Sequence, residues 1–125
     1  MICVARVAGK FRGVFALEGI KKGADIVTDC VVLVPQDHFD KIGPPLVWYP
    51  FAWKDGVSAI GLGLTSLANH SDQPNCYPER DYSLLLLRLV AKRDIEAGEE
   101  IVYDYKVPLW FEPKPPSRLN LEGTK

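Results

Sequence analysis

The chain has 125 residues, with 15 Lys plus Arg against 16 Asp plus Glu and a net charge of −1, which argues against direct nucleic-acid binding because dedicated binders carry a basic excess. At 47% hydrophobic and 25% charged residues it has the profile of one globular domain, long enough to bury a real core. No apolar run approaches the roughly 18 residues of a membrane span. The N-terminus (MICVARVAGK) lacks a signal peptide's apolar core and cleavage site. An intracellular, reducing setting is therefore expected, in the cytoplasm or at chromatin or the nucleoid. Cys3, Cys30 and Cys76 are odd in number and far apart, so neither a disulfide framework nor a paired metal-ligand motif is present. Ten Gly and ten Pro exceed the usual roughly 12% and predict a turn-rich fold of short strands.

Residues 2–7, 13–17 and 24–34 are rich in Val, Ile and Phe and are predicted as strands. Between positions 34 and 56 the chain turns irregular. Pro35, Pro44, Pro45 and Pro50 punctuate the aromatics Phe39, Trp48, Tyr49, Phe51 and Trp53, with one short helix expected over 36–41. Residues 83–91 (SLLLLRLVA) read as a buried strand, being short for a helix, and 101–105 (IVYDY) as another. From Lys106 onward Pro108, Pro113, Pro115 and Pro116 oppose regular structure, so residues 112–125 are expected to be a fraying tail beyond a domain of residues 1–111.

Residues 16–26 (ALEGIKKGADI) and 91–101 (AKRDIEAGEEI) share Ala, Ile, Gly, an acid and Ile in one frame, 75 positions apart. Each copy would be a strand end, an inward Ile, a Gly-permitted turn and a returning strand. Two ordinary turns would give the same pattern. If the frame is more than that, the two ends of the chain pack as neighbouring halves.

Three polar clusters could carry chemistry. Residues 69–75 (NHSDQPN) would by themselves be a loop of Asx-turns. His70 has no Cys or His partner at metal-ligand spacing and no Ser or Cys arrangement forming a triad. In residues 98–105 (GEEIVYDY), Tyr103 and Tyr105 stand at i and i+2, so their hydroxyls would share one face of a strand. Residues 9–13 (GKFRG) form a Gly-flanked turn that lets backbone approach a ligand closely.

In this order the clusters resemble the SET-domain protein lysine methyltransferases over roughly residues 2–110. The resemblance rests on KFRGVFALEGIKKGADI, SLANHSDQPN and RDIEAGEEIVYDY, with VWYPFAWKDGVSAIGLG matching the linker between them. The chain looks especially like the compact viral and bacterial members, which lack cysteine-rich flanking domains. The resemblance implies a mainly β, β-clip-like fold of short strands and small sheets, with little helix and a pseudoknot-like C-terminal segment. It implies S-adenosylmethionine as cofactor and, as activity, methyl transfer to the side-chain amine of lysine in a protein, a histone or another basic protein.

By the same resemblance Lys10, Phe11, Arg12 and Gly13 would wrap the methionine part of the cofactor with backbone groups. Asn69 and His70 would meet its adenine and amine, Tyr49 would contact the cofactor or the lysine channel, and Trp110 would cover the adenine. Tyr105 matches the tyrosine at the reacting centre. Tyr103 matches the position that sets product multiplicity, where a tyrosine favours monomethylation. Lysine has a pKa near 10.4, so only about one side chain in 2,500 is neutral at pH 7 and the site must desolvate and deprotonate it. Two departures stand out. Phe11 occupies the family's usual Gly and is expected to crowd the cofactor, and Leu109 replaces an aromatic before Trp110. The alternative that Phe11 supports is a weak or inactive SET-like protein-interaction module.

The run 94–104 holds Asp94, Glu96, Glu99, Glu100 and Asp104 without a Lys or Arg. As an acidic strip near the lysine mouth it would suit a basic peptide, and as a solvated turn it would do nothing specific. Aromatics such as Trp48 and Phe111 would permit a homodimer.

Overall fold

The first pairing is a hairpin. β1 (Ile2–Val7) and β2 (Phe11–Ala16) run antiparallel in register from Ile2↔Ala16 to Val7↔Phe11. Gly9, at φ 79°, supplies the left-handed backbone of the turn between them. The computed structural model describes residues 1–7, 9–106 and 115–121.

Ten residues long, β3 (Asp25–Val34) serves two partners. Its first part pairs with β8 (Leu86–Ala91) and its last part with β5 (Ser58–Gly61). The outer strands are β4 (Phe51–Ala52) beside β5 and β7 (Cys76–Asp81) beside β8, giving a five-stranded sheet ordered β4-β5-β3-β8-β7. The second sheet is ordered β1-β2-β9-β6, with β9 (Glu100–Tyr103) lying between β2 and β6 (Asn69–His70). The β6–β9 pairing is parallel, Asn69↔Val102 and His70↔Tyr103, and it places β9 inside the sheet, between β2 and β6. Among the described residues, helix is confined to one four-residue turn, α1 (Gln36–Phe39), and 3-10 turns at Leu46–Trp48 and Leu64–Leu67. The mainly β architecture expected from the sequence is the one observed.

Alternation fills the core. Leu87 and Leu89 of β8 point inward with zero exposure and form one cluster with Val14 and Ala16 of β2, Ile101 of β9, and Phe51, Trp53 and Ile95. All four residues of β9 are buried, as a strand covered on both faces must be. Full burial of each large aliphatic side chain contributes about 1.5–3 kcal/mol.

The frame repeated at a spacing of 75 is a local two-fold. Ile20 and Ile95 exchange backbone hydrogen bonds of 2.8 and 2.7 Å. Gly23 N donates to Ala91 O and Gly98 N to Ala16 O, while Ala91 N donates to Ala24 O and Ala16 N to Glu99 O. Gly23 and Gly98 both have positive φ, 87° and 93°. The two turns therefore clasp each other, joining the sheets.

The structure corrects three elements. Residues 83–85 belong to a turn, not to the strand expected over 83–91. Asp81 Oδ1 accepts from Ser83 N, Ser83 Oγ and Leu84 N, and Leu85 takes φ 56°. The strand partner β7, which contains Pro78, was not among the expected strands. As an edge strand it tolerates the proline. Residues 115–121 do not fray: Glu99 and Arg118 form a bridge, and Leu119 N donates to Gly98 O at 2.8 Å, so this segment straps the start of β9.

Candidate active site

A cavity of about 700 Å³ opens between the β1–β2 turn, the 45–49 segment and the 66–70 segment, with Tyr105 in its wall. Lys10, Phe11, Arg12, Tyr49, Asn69, His70 and Tyr105 all line it. Gly13 lies behind this wall and Tyr103 packs on Tyr105. Trp110 falls outside the described residues. Pro45, Trp48, Ser66, Leu67 and Ala68 also line the cavity and were not expected there from the sequence, where Trp48 counts only as a candidate dimer contact and Ser66–Ala68 stand within the SLAN stretch.

Local chemistry fixes each wall. Asp29 of β3 accepts hydrogen bonds from Thr65 N at 2.9 Å and Thr65 Oγ1 at 2.6 Å. Gly61 N donates to Ser66 Oγ at 3.0 Å. These bonds hold the turn that delivers Leu67, Ala68 and Asn69 to the cavity. Asn69 Nδ2 donates to Arg12 O at 2.8 Å and to Glu100 Oε2 at 2.7 Å. Arg12 Nη2 donates to the Tyr49 hydroxyl at 3.3 Å and joins the turn to the 45–49 segment.

Gly13 is required by space. A Cβ there would stand 2.6 Å from Glu100 Oε2 and 3.1 Å from Asn69 Nδ2. Phe11 takes φ 72°, which costs a residue with a Cβ on the order of 1–2 kcal/mol. Its ring does not fill the cavity: it is 67% exposed, at the rim, with the Arg12 guanidinium 5.0 Å from its centroid. The expected crowding is relieved by turning outward.

His70 is a clamp. Tyr105 N donates to His70 Nδ1 at 3.0 Å, so the ring proton is assigned to Nε2, which donates to Asp72 Oδ1 at 2.8 Å. Tyr105 lies beyond the end of β9, where Asp104 Oδ1 accepts from Lys106 N, yet its ring still stands 4.8 Å from Tyr103. The Tyr105 hydroxyl donates to Ala68 O at 2.9 Å. Desolvation, reinforced by the Glu100 carboxylate, pushes the Tyr105 phenol up to about 12. Burial also raises the Tyr103 phenol well above its ordinary value, and Phe51 stacks on that ring at 5.3 Å. Both phenols are neutral donors at physiological pH.

The cavity thus joins a Gly-relieved backbone turn, an oriented Asn amide and a neutral phenol anchored to a carbonyl. The family model for the SET domain matches residues 12–106. The chain belongs to the SET-domain family. The histone-lysine N-methyltransferase of Schizosaccharomyces pombe specific for H3 lysine-37 is 33% identical over 105 residues, 82% of this chain and 71% of the relative. The Arabidopsis thaliana histone-lysine N-methyltransferase ATXR7 is 45% identical over 49 residues, 38% of this chain and 3% of that much longer protein. A candidate histone methyltransferase of Plasmodium falciparum superposes with a TM-score of 0.70 at 28% identity, covering 87% of this chain and all of that one. A humanised Chaetomium thermophilum Polycomb Repressive Complex 2 shares the fold with a TM-score of 0.71 at 22% identity, over 85% of this chain and 15% of the other. This SET domain is a protein-lysine N-methyltransferase, and SET methyltransferases in general use S-adenosylmethionine.

Two site features escaped the sequence reading. The acidic strip is not one free acidic surface: Glu100 is fully buried against Lys10 and Glu99 is paired with Arg93, while the exposed Glu96 and Asp94 are paired with Arg118 and Lys21. Asn75 is 1% exposed and works as a piece of strand. Its Nδ2 donates to Glu100 O at 2.8 Å, its Oδ1 accepts from Val102 N at 3.0 Å, and its own N–H donates to Val102 O at 3.1 Å. Asn75→Ala would leave a buried donor and a buried acceptor on β9 unsatisfied, costing roughly 2–4 kcal/mol. Thermal unfolding should fall by about 10 °C, and a fall under about 2 °C would contradict this role.

Proposed function

We propose that this SET domain transfers one methyl group from S-adenosylmethionine to a lysine side chain of a histone or similar basic protein at chromatin. The residues present fit that cofactor. The cavity is within the roughly 300–1,000 Å³ of small-molecule sites. Gly13 leaves the turn backbone clear, and with both Asn69 amide hydrogens committed, Oδ1 is the group this side chain has to offer a cationic amine. Lys10, Phe11, Arg12 and Gly13 would hold the methionine part, Asn69 and His70 the adenine and amine, with Tyr49 and Trp110 closing over them. Bound there, S-adenosylmethionine supplies an electrophilic methyl on a sulfonium centre.

The observation that carries the reading is the Tyr105 hydroxyl, held against Ala68 O in the cavity wall. From that place the phenol orients the incoming amine, and the packed rings of Tyr103 and Phe51 strip water from it. Their contribution is positioning and electrostatics. The histone assignment draws on the names of the relatives, and no helix among the described residues is long and apolar enough to cross a membrane. The same proposal includes kinship with the compact viral and bacterial members, homodimerisation and no direct binding to nucleic acid. The alternative of an inactive interaction module loses its support, because Phe11 stands at the rim. Incubation with methyl-labelled S-adenosylmethionine and histones should label lysine, and no transfer to any histone or basic protein would refute the reading.

Product multiplicity has its own test. Tyr103→Phe removes a buried hydroxyl beside Tyr105 and makes room for a methylated amine. Mass spectrometry should show mainly monomethyl-lysine from the wild type and a several-fold larger di- and trimethyl share from the variant. Abundant trimethyl product from the wild type would contradict it.

A further inference from the structure

Glu100 has no exposure to solvent, and its carboxylate takes three hydrogen bonds from three different parts of the chain. Oε2 accepts from Asn69 Nδ2 at 2.7 Å. Oε1 accepts from Lys10 Nζ at 2.9 Å and from the backbone N of Ser117 in the C-terminal strap at 2.9 Å. The Lys10 side chain is itself only 8% exposed.

We infer that Glu100 is the positioning residue of the cofactor cavity: its buried carboxylate fixes the Asn69 amide with Oδ1 turned to the cavity, and ties that orientation to the docked strap. A carboxylate only accepts hydrogen bonds, as does the carbonyl of Arg12, so the Asn69 NH₂ is confined between two acceptors. Flipping the amide would set its oxygen against both at once. Gly13 makes this close approach possible, since any side chain there would collide with Oε2. A buried ion pair such as Glu100–Lys10 adds little net stability, because desolvation offsets its attraction. Orientation is what it contributes.

The inference rests on the cofactor reading above, and the test separates the two. Glu100→Gln in the full chain replaces one acceptor by a donor, and the single oxygen it keeps is drawn to Lys10 and Ser117, so that the amide NH₂ faces Asn69 and the Lys10 ammonium loses its counter-charge. The double variant Glu100→Gln/Lys10→Met removes that unpaired cation while leaving Asn69 without its fixed acceptor. Three readouts apply: the side-chain amide resonances of Asn69 without ligand, the Kd for S-adenosylhomocysteine by calorimetry, and the melting temperature. In the wild type the Asn69 amide protons should be shifted downfield and slow to exchange. In both variants that signature should vanish and the Kd should rise about 10- to 100-fold, the range for losing a hydrogen bond to a charged group. The double variant should regain most of the melting temperature lost by the single one without regaining affinity.

Recovery of affinity together with stability would overturn the inference by making Glu100 a structural residue alone. So would an Asn69 signature unchanged in Glu100→Gln. If the wild type binds no S-adenosylhomocysteine, the cofactor reading fails. The Asn69 resonances still decide what Glu100 does.

Discussion

Tyr105→Phe is expected to lower methyl transfer by about 10²- to 10³-fold, the usual loss when one preorganised donor is removed from a reacting centre. The fold should survive. The ring keeps its contact with His70, 5.1 Å between centroids, and the backbone N–H of Tyr105 still donates to His70 Nδ1. What disappears is the hydroxyl that bonds Ala68 O in the cavity wall. Because burial lifts the phenol to about 12, it remains protonated through pH 10 and cannot act as the base that deprotonates lysine. The raised value also sets a stability window. The contribution of the neutral phenol is complete below pH 10 and is lost as pH climbs through about 12. Initial rates between pH 7 and 10 should therefore rise in the same way for wild type and variant, following the substrate amine. A variant within threefold of wild type, or a wild-type rate that falls in this range while the variant's does not, would sink the assignment.

The parts of this site that were legible in the sequence are those whose chemistry is local. β1 occupies residues 2–7 as expected, because β-branched residues ending at a Gly turn leave little choice. The Gly23 and Gly98 turns were legible as a frame, though only the three-dimensional pairing of Ile20 with Ile95 made the frame a two-fold. Asn69, His70, Tyr103 and Tyr105 came from motifs, and the parallel β6–β9 pairing explains why residues more than thirty positions apart share one wall.

The parts that were hidden depend on distant partners. Glu100 sat in a run of acids that reads as solvated, and its burial is made tolerable by distant partners, a lysine ninety residues away together with Asn69 and Ser117 N. Asn75 looked like turn chemistry. Its amide instead completes a strand 25 residues further on. β7 was obscured by Pro78, which local rules count against a strand unless the strand lies at an edge.

Deleting residues 107–125 is expected to abolish methyl transfer and cofactor binding and to lower stability by several kcal/mol. The reason lies in the strap at 115–121. Ser117 O accepts from Glu100 N at 3.2 Å and Ser117 N donates to Glu100 Oε1, while Leu119 N caps Gly98 O. Without the strap, a buried backbone donor and one side of a buried carboxylate lose their partners, at roughly 1–3 kcal/mol each. Against a typical total stability of about 5–15 kcal/mol that is a large fraction. Gly98 is shaped for the same contact, since a Cβ there would lie 2.9 Å from Leu119 O. Because the contacts use backbone atoms, Ser117→Ala should behave as wild type. Ser117→Pro, which removes the N–H facing Glu100, should reproduce part of the truncation's loss of S-adenosylhomocysteine affinity. A truncated chain that melts at the wild-type temperature and transfers methyl groups at full rate would show that β9 holds the cavity together without the strap.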